Sequence, residues 1–182
     1  MRSYLGLDLS LTATGFFLLY EDGTNKNLEI CTKPDRFPSL IKRAKHIADT
    51  ILEQLQGEDV VLVLLENYFV GKFANSAINL ATLGTMVRDR LLARGLKYIA
   101  VQATTIKKYE SGCGTAKKGL MVKHVYQNHH FDTPSDNIAD ACAMAYLCKG
   151  YVEWLAGRKP EFKYQVEVLK KLSSTCAVET PY

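Results

Sequence analysis

The sequence predicts an α/β fold, a mixed β-sheet flanked by α-helices. Three observations predict it. The chain opens on three short strand-like segments joined by turns. Asp59 to Glu66 (DVVLVLLE) is aliphatic and β-branched nearly throughout. From there helical and strand patterns alternate. A strand apolar on both faces belongs inside a sheet that is covered on both sides.

Each element follows from local chemistry. Ser3 to Leu9 reads as a strand running up to Asp8, and Thr14 to Tyr20 as a second. Glu21-Asp22-Gly23-Thr24 is a hairpin-type turn, and Asn27 to Thr32 a third strand. Pro34 and Pro38 then punctuate the chain, and Ser39 can cap a helix. Leu40, Ile41, Ala44, Ile47, Ala48, Ile51, Leu52 and Leu55 recur at helical spacing, and Gly57 ends the run. Ser76 to Arg94 is a second long helix stopped by Gly95, and Tyr98 to Val101 a short strand. Lys117 to Asn128 reads as helical, and Asp136 to Trp154 as a long, largely apolar helix. Glu161 to Leu172 is amphipathic. The division expected is one domain over residues 1–157 and an extension over 158–182, helical and then irregular.

Composition excludes several classes. The 182 residues are 47% hydrophobic and 23% charged, enough apolar material for one globular core. The longest aliphatic run, Val60 to Leu65, falls far short of the roughly 20 residues that cross a bilayer. The apolar start meets Asp8 too soon for a secretory segment. The five cysteines include no Cys-x-x-Cys pair, so reduced thiols and a cytoplasmic location are expected, with no membrane partner.

Three acids sit where acids are costly. Asp8 follows Tyr4-Leu5-Gly6-Leu7, Glu66 ends the aliphatic run, and Asp140 lies inside Ile138-Ala139-Asp140-Ala141-Cys142-Ala143. A buried carboxylate without a partner costs several kcal/mol or becomes neutral. A divalent cation would satisfy all three, and oxygen ligands without nearby Cys or His favour Mg²⁺ or Mn²⁺ over zinc. Asp136, four residues before Asp140, shares a helical face with it. Four such acids could hold two ions about 3.5–4 Å apart, which suits in-line displacement at phosphorus. Each acid also has a plain structural reading. Asp8 fits a turn-initiating residue, Glu66 a solvated strand end, and Asp136 a helix cap after Thr133-Pro134-Ser135.

Positive charge is concentrated. Residues 94–123 carry seven basic residues against one acid, a net +6, which leaves −2 for the rest of this +4 chain. Within the segment lies Ser111-Gly112-Cys113-Gly114-Thr115-Ala116-Lys117-Lys118, where backbone amides and flanking lysines suit phosphate oxygens. A solvated loop with surface lysines fits as well. The spacing of a P-loop is absent. Asn67-Tyr68-Phe69-Val70-Gly71-Lys72-Phe73 follows Glu66 directly, and its aromatics suit stacking on unpaired bases or burial in a core or interface.

These segments together resemble the RuvC family of Holliday junction resolvases, within the RNase H-like superfamily, over about Tyr4 to Cys148. Four stretches match in order: Gly6 to Gly15, Glu66 to Ala77, Thr105 to Lys118, and Asp136 to Ala145. The resemblance implies an RNase H-like mixed sheet and a homodimer acting on a four-way DNA junction. It also implies a crossover junction endodeoxyribonuclease that uses two Mg²⁺ ions per site, with Mn²⁺ as substitute. The products implied are a 5′-phosphate and a 3′-hydroxyl. By position, Asp8, Glu66 and Asp140 are the implied metal ligands, and Asp136 or Asn137 the fourth. Lys118 is the implied catalytic lysine. Lys72, Lys107, Lys108 and Lys117 are the implied DNA contacts, and Phe69 the aromatic that enters the junction. The helix from Ser76 resembles the one used in dimerisation.

Three departures stand out. Leu9-Ser10 replaces the family's Pro-Gly after the first acid, Asn137 stands where the fourth ligand usually lies, and the tail after Gly157 has no counterpart. They resemble a phage-type member, which would act in a host cytoplasm and on branched DNA more generally. Other readings are a catalytically silent junction binder, an RNase H-like nuclease on RNA or hybrids, and an actin-like ATPase or kinase. For the last, the chain is short and Ser10 replaces a needed glycine.

Overall fold

A computed structural model describes residues 1–67, 74–133 and 135–181, and the side chains of 74–76 are left aside. The strands are β1 (Arg2–Asp8), β2 (Ala13–Tyr20), β3 (Asn25–Cys31), β4 (Asp59–Glu66) and β5 (Tyr98–Val101). The helices are α1 (Leu40–Gln54), α2 (Ala74–Ala93), α3 (Ala103–Ser111), α4 (Lys118–His129), α5 (Asp136–Leu155) and α6 (Lys163–Thr175). The strands form one sheet in the order β3-β2-β1-β4-β5. β1, β2 and β3 form an antiparallel meander, while β4 runs parallel to β1 and β5 parallel to β4. This is the mixed, helix-flanked sheet that the pattern predicts.

Strand alternation divides the core. Leu5, Leu7, Phe16, Leu18, Val63 and Leu65 point to the face covered by α1 and α2. Tyr4, Phe17, Leu19, Leu62 and Leu64 point to the face covered by α5, behind which stand α3, α4 and α6. Because side chains alternate, Asp8 and Glu66 belong to the α5 face, with Tyr4 and Gly6 and with Leu62 and Leu64 respectively.

α5 lies directly on the sheet because two glycines let it. A side-chain carbon on Gly6 would come within 2.6 Å of the Ala145 nitrogen, and one on Gly15 within 2.6 Å of the Asn137 carbonyl carbon. Opposite them α5 offers Ala141 and Ala145, both fully buried. Small residues on both sides set the helix height over the strands.

The N-terminus of α1 is capped by Ser39, whose side chain accepts from the Lys42 amide at 3.1 Å. The turn at Leu9-Ser10 is closed without Pro-Gly. The Thr14 hydroxyl donates to the Ser10 carbonyl at 2.6 Å and accepts from the Ser10 amide at 3.0 Å. Arg43 braces the same turn by donating to the Leu11 carbonyl at 2.8 Å and the Thr32 hydroxyl at 2.9 Å.

One feature differs from the sequence reading. Residues 103–111, inside the basic segment, form the helix α3. Its buried positions are Thr105, Ile106, Tyr109 and Glu110, and half of these are polar, so no apolar periodicity announces it. Glu110 is only 1% exposed. It accepts hydrogen bonds from Asn128 Nδ2 and pairs with His129 Nε2, each at 3.0 Å. The His129 ring stacks on Tyr146 of α5 at 3.5 Å, so one buried carboxylate ties α3 to α4 and α5. The helix expected in the tail is α6, which runs from Lys163 to Thr175. It buries Val168, Leu169 and Leu172 in the same core cluster as α5. Beyond it, Glu179 makes a bridge to Tyr98 on β5. No helix among the described residues is long and apolar enough to cross a membrane.

Candidate functional site

The site forms where β1 and β4 end side by side. Leu7 pairs with Leu65 in the parallel ladder, so Asp8 and Glu66 are the next residues on adjacent strands, on the same face. Across the antiparallel ladder Asp8 pairs with Gly15, and Gly15 pairs with Glu29 of β3. One row therefore runs Glu29, Gly15, Asp8 and on to Glu66. The first turns of α5 cross that row, with Asn137 lying against Gly15 and Ala141 against Gly6. Asp140 is thereby delivered over the ends of β1 and β4.

The electrostatics show that these acids share one environment. Burial pushes the Asp8 carboxyl up to about 7, and the charges of Asp140 and Glu66 add to the rise while Lys118 opposes it. Glu66 is raised by burial and by Asp140, and Lys107 opposes the rise. Asp140 is raised by burial, against the pull of Lys118 and Lys107, and Asp136 adds to the rise. Three half-buried carboxyls, each raised by burial and two of them raised further by their neighbours, are a costly arrangement in any protein. Among the described residues, however, no three His, Cys, Asp or Glu side chains already stand as a ready metal shell. Like charges do not converge while only lysines offset them. The donor set itself, carboxylate oxygens with no sulfur or imidazole among them, fits a hard divalent cation.

The positive residues divide into two groups. Lys107 on α3 and Lys118 at the start of α4 act on the acids directly. Lys118 Nζ also lies 3.8 Å from Asp136 Oδ2, in a solvent-exposed pair. Lys108 is turned to α6, where its Nζ meets Glu167 Oε2 at 2.7 Å. Lys117 is exposed and sits immediately before α4. Phe69 and Lys72 lie outside the described residues.

At the N-terminus of α5 the cap is Ser135, whose Oγ accepts from the Ile138 amide at 3.3 Å. Asp136 stands in the first turn, where its charge complements the helix dipole. The Ser135 hydroxyl donates in turn to Glu29, which also accepts from Asn137 Nδ2 at 2.9 Å. Those two bonds hold the Glu29 carboxyl below its ordinary range. Glu29, Lys118, Ser135, Asp136 and Asn137 line an open cleft of about 410 Å³. Sequence reasoning missed Glu29. It reads as one more polar position in an alternating edge strand, and nothing near it in sequence marks it. A second cleft, about 420 Å³, opens beside β5 between Arg88, Gln102, Lys171 and Glu179, away from Asp8, Glu66, Asp136 and Asp140.

Comparison with known proteins agrees with this architecture. Comparison with the curated protein sequences finds no match. Thermus thermophilus RuvC, solved in complex with a Holliday junction substrate, superposes with a TM-score of 0.67 and 17% identity. The match covers 80% of this chain and 90% of that one. Thermus thermophilus RuvC solved by itself gives 0.66 and 20% identity over 84% and 95%. The yeast mitochondrial Holliday junction resolvase gives 0.55 and 12% identity over 94% and 80%. At such identities these likenesses establish the shared fold. The family model of RuvC, crossover junction endodeoxyribonuclease, matches residues 4–148. That span begins in β1, takes in all four segments of the acidic and basic site, and ends in α5; the chain belongs to the RuvC family.

Proposed function

We propose that this chain is a divalent-metal-dependent endodeoxyribonuclease that resolves four-way junctions and related branched DNA by paired nicks. The observation that carries the reading is the convergence of Asp8 and Glu66, adjacent on one sheet end, with Asp140 of α5, three carboxyls each raised by burial, Asp8 further by Glu66 and Asp140, and Glu66 further by Asp140. A site built at a cost to the empty fold is a site built for a charged ligand. The junction as substrate comes from the family, one member of which is solved with that DNA.

In this reading Asp8, Glu66 and Asp140 hold the metal together with Asp136 or Asn137 from the first turn of α5. Mg²⁺ is the natural ion, two per site, and Mn²⁺ a substitute. When bound, the ions make water nucleophilic at neutral pH and neutralise charge developing at phosphorus. The chain's own groups do the rest. Lys107 and Lys118 draw a phosphate toward the acids and offset their repulsion. Lys117 and Lys72 extend the cationic track along the DNA backbone, and Lys108, engaged by Glu167, contributes less to it. Phe69, beside Glu66 in sequence, supplies an aromatic face for an unpaired base.

The functional unit in this reading is a homodimer, which puts two such sites on opposed strands. Ile78 of α2 and Ile41 of α1 are 58% and 56% exposed, apolar material that a second copy would cover.

The test is nicking of a synthetic four-way junction with and without Mg²⁺. The wild type should cut only with metal, and Asp8→Asn and Asp140→Asn should bind the junction but not cut it. Variants cutting at the wild-type rate would refute the site. A plain duplex and an RNA–DNA hybrid, run alongside, separate a junction enzyme from a general RNase H-like nuclease. Asn137, standing where the family usually has a ligand, favours one other reading, a silent junction binder. Tight binding with no cleavage under any divalent metal would select it.

A further inference from the structure

Glu29 stands apart from every residue that the family resemblance assigns. It is the cross-strand partner of Gly15, which is itself the partner of Asp8. Because Gly15 has no side chain, α5 can lay Asn137 on that position, between the Glu29 and Asp8 strands. Asn137 Nδ2 donates to Glu29 Oε1 at 2.9 Å, and the Ser135 hydroxyl donates to the same oxygen. An ionised carboxylate only accepts, so the amide's NH₂ is the end that meets Glu29. The carbonyl Oδ1 is therefore the end directed away from it. Asp136, one position earlier, is engaged by Lys118 at 3.8 Å.

We propose that Glu29 is a positioning residue that fixes the Asn137 amide, so that Asn137 Oδ1, and not the Asp136 carboxylate, is the fourth metal ligand beside Asp8, Glu66 and Asp140. The inference rests on the metal-dependent reading of the site given above. Its physical basis is charge and orientation. Three carboxyls already repel one another there, and a fourth anion would add to that repulsion. A carbonyl oxygen is an equally hard donor that carries no charge. An amide, however, has a wrong end, since its NH₂ turned toward a cation repels it. Glu29 removes that choice by taking the NH₂. Ser135 ties Glu29 to the cap of α5, so the clamp and the helix start form one unit. Outer hydrogen bonds of this kind orient ligands in many metal sites.

The test measures Mn²⁺ binding to the DNA-free protein by paramagnetic resonance, alongside Mg²⁺-dependent junction nicking and thermal melting. Glu29→Ala should weaken Mn²⁺ binding roughly tenfold and raise the Mg²⁺ needed for half-maximal nicking. Glu29→Gln keeps an oxygen that accepts from Asn137 Nδ2 and should restore most of the loss, which also serves if Glu29→Ala fails to fold. Asn137→Ala should cost more Mn²⁺ affinity than Asp136→Asn.

In an Asn137→Asp background the sign should reverse. There Glu29→Ala removes a facing carboxylate and should tighten Mn²⁺ binding. A Glu29→Ala protein that melts lower but binds Mn²⁺ as the wild type does would overturn the positioning role and leave a helix clamp only. A greater loss from Asp136→Asn than from Asn137→Ala would overturn it as well. A wild type that neither binds Mn²⁺ nor cuts would overturn the nuclease reading itself, and the positioning role with it. The two failures are thus told apart.

Discussion

The backbone carbonyl of Asn137 occupies the place where a side chain on Gly15 would stand. Gly15 is the ladder partner of Asp8, so this one contact sets how far the acid-bearing helix sits from the first acid-bearing strand.

Gly15→Ala should therefore act on stability and on the site together. The added carbon has no room within 2.6 Å of the Asn137 carbonyl carbon, and α5 must lift. Overpacking of this kind costs about 1–3 kcal/mol. Urea unfolding should show that loss, and Mg²⁺-dependent nicking should fall further than the folded fraction does.

The pH dependence of the metal-free protein has a definite sign. Asp8 is raised from 3.8 to about 7 in the folded state, so the native form binds the proton more tightly than the unfolded chain does. Its contribution to stability is thus present at low pH and is lost as pH rises from about 4 through about 7. Glu66 and Asp140 shift in the same direction. Asp8→Asn should raise the metal-free melting temperature at mildly alkaline pH while abolishing nicking. Added Mg²⁺ should stabilise the wild type increasingly as pH rises through about 7 and should stabilise Asp8→Asn little. A melting temperature of Asp8→Asn equal to or below that of the wild type would contradict the burial argument.

The lysines should separate by position. Lys107→Ala and Lys118→Ala each remove a charge that acts on the acids, and each should lower the salt dependence of junction binding by about one unit of slope. Lys108→Ala leaves that slope less changed, because its ammonium is already engaged by Glu167. Equal slopes for all three variants would show that the basic segment contacts DNA without regard to this geometry.

The clamp at Glu110 gives a stability prediction remote from the acids. Glu110→Ala strips the carboxylate from the largely buried His129 Nε2, while the exposed Asn128 Nδ2 keeps the backbone carbonyl of residue 110. A buried polar group left without its partner costs about 1–3 kcal/mol. Chemical denaturation should register the loss. Nicking of the surviving folded protein should weaken because α3, which carries Lys107, loses its tie to α4 and α5.

Much of this architecture is legible residue by residue. The bounds of β4 and β5 read from the sequence are those observed, Asp59–Glu66 and Tyr98–Val101, because an aliphatic run between turn residues admits little else. The cap at Ser39 and the apolar length of α5 are equally local. α3 was not legible, since Thr105 and Glu110 bury polar side chains that a hydrophobic pattern counts as surface.

The acids Asp8, Glu66 and Asp140 announce themselves by the apolar company they keep in the sequence, and that company is fixed by the chain alone. Glu29 announces nothing. It meets Asn137 across 108 positions, through a ladder register and a helix crossing that exist only once both sheet faces are buried. Periodicity and capping act over a few residues and are written in the sequence. Which row of side chains faces which turn of helix follows from non-local burial, so only the folded chain decides it.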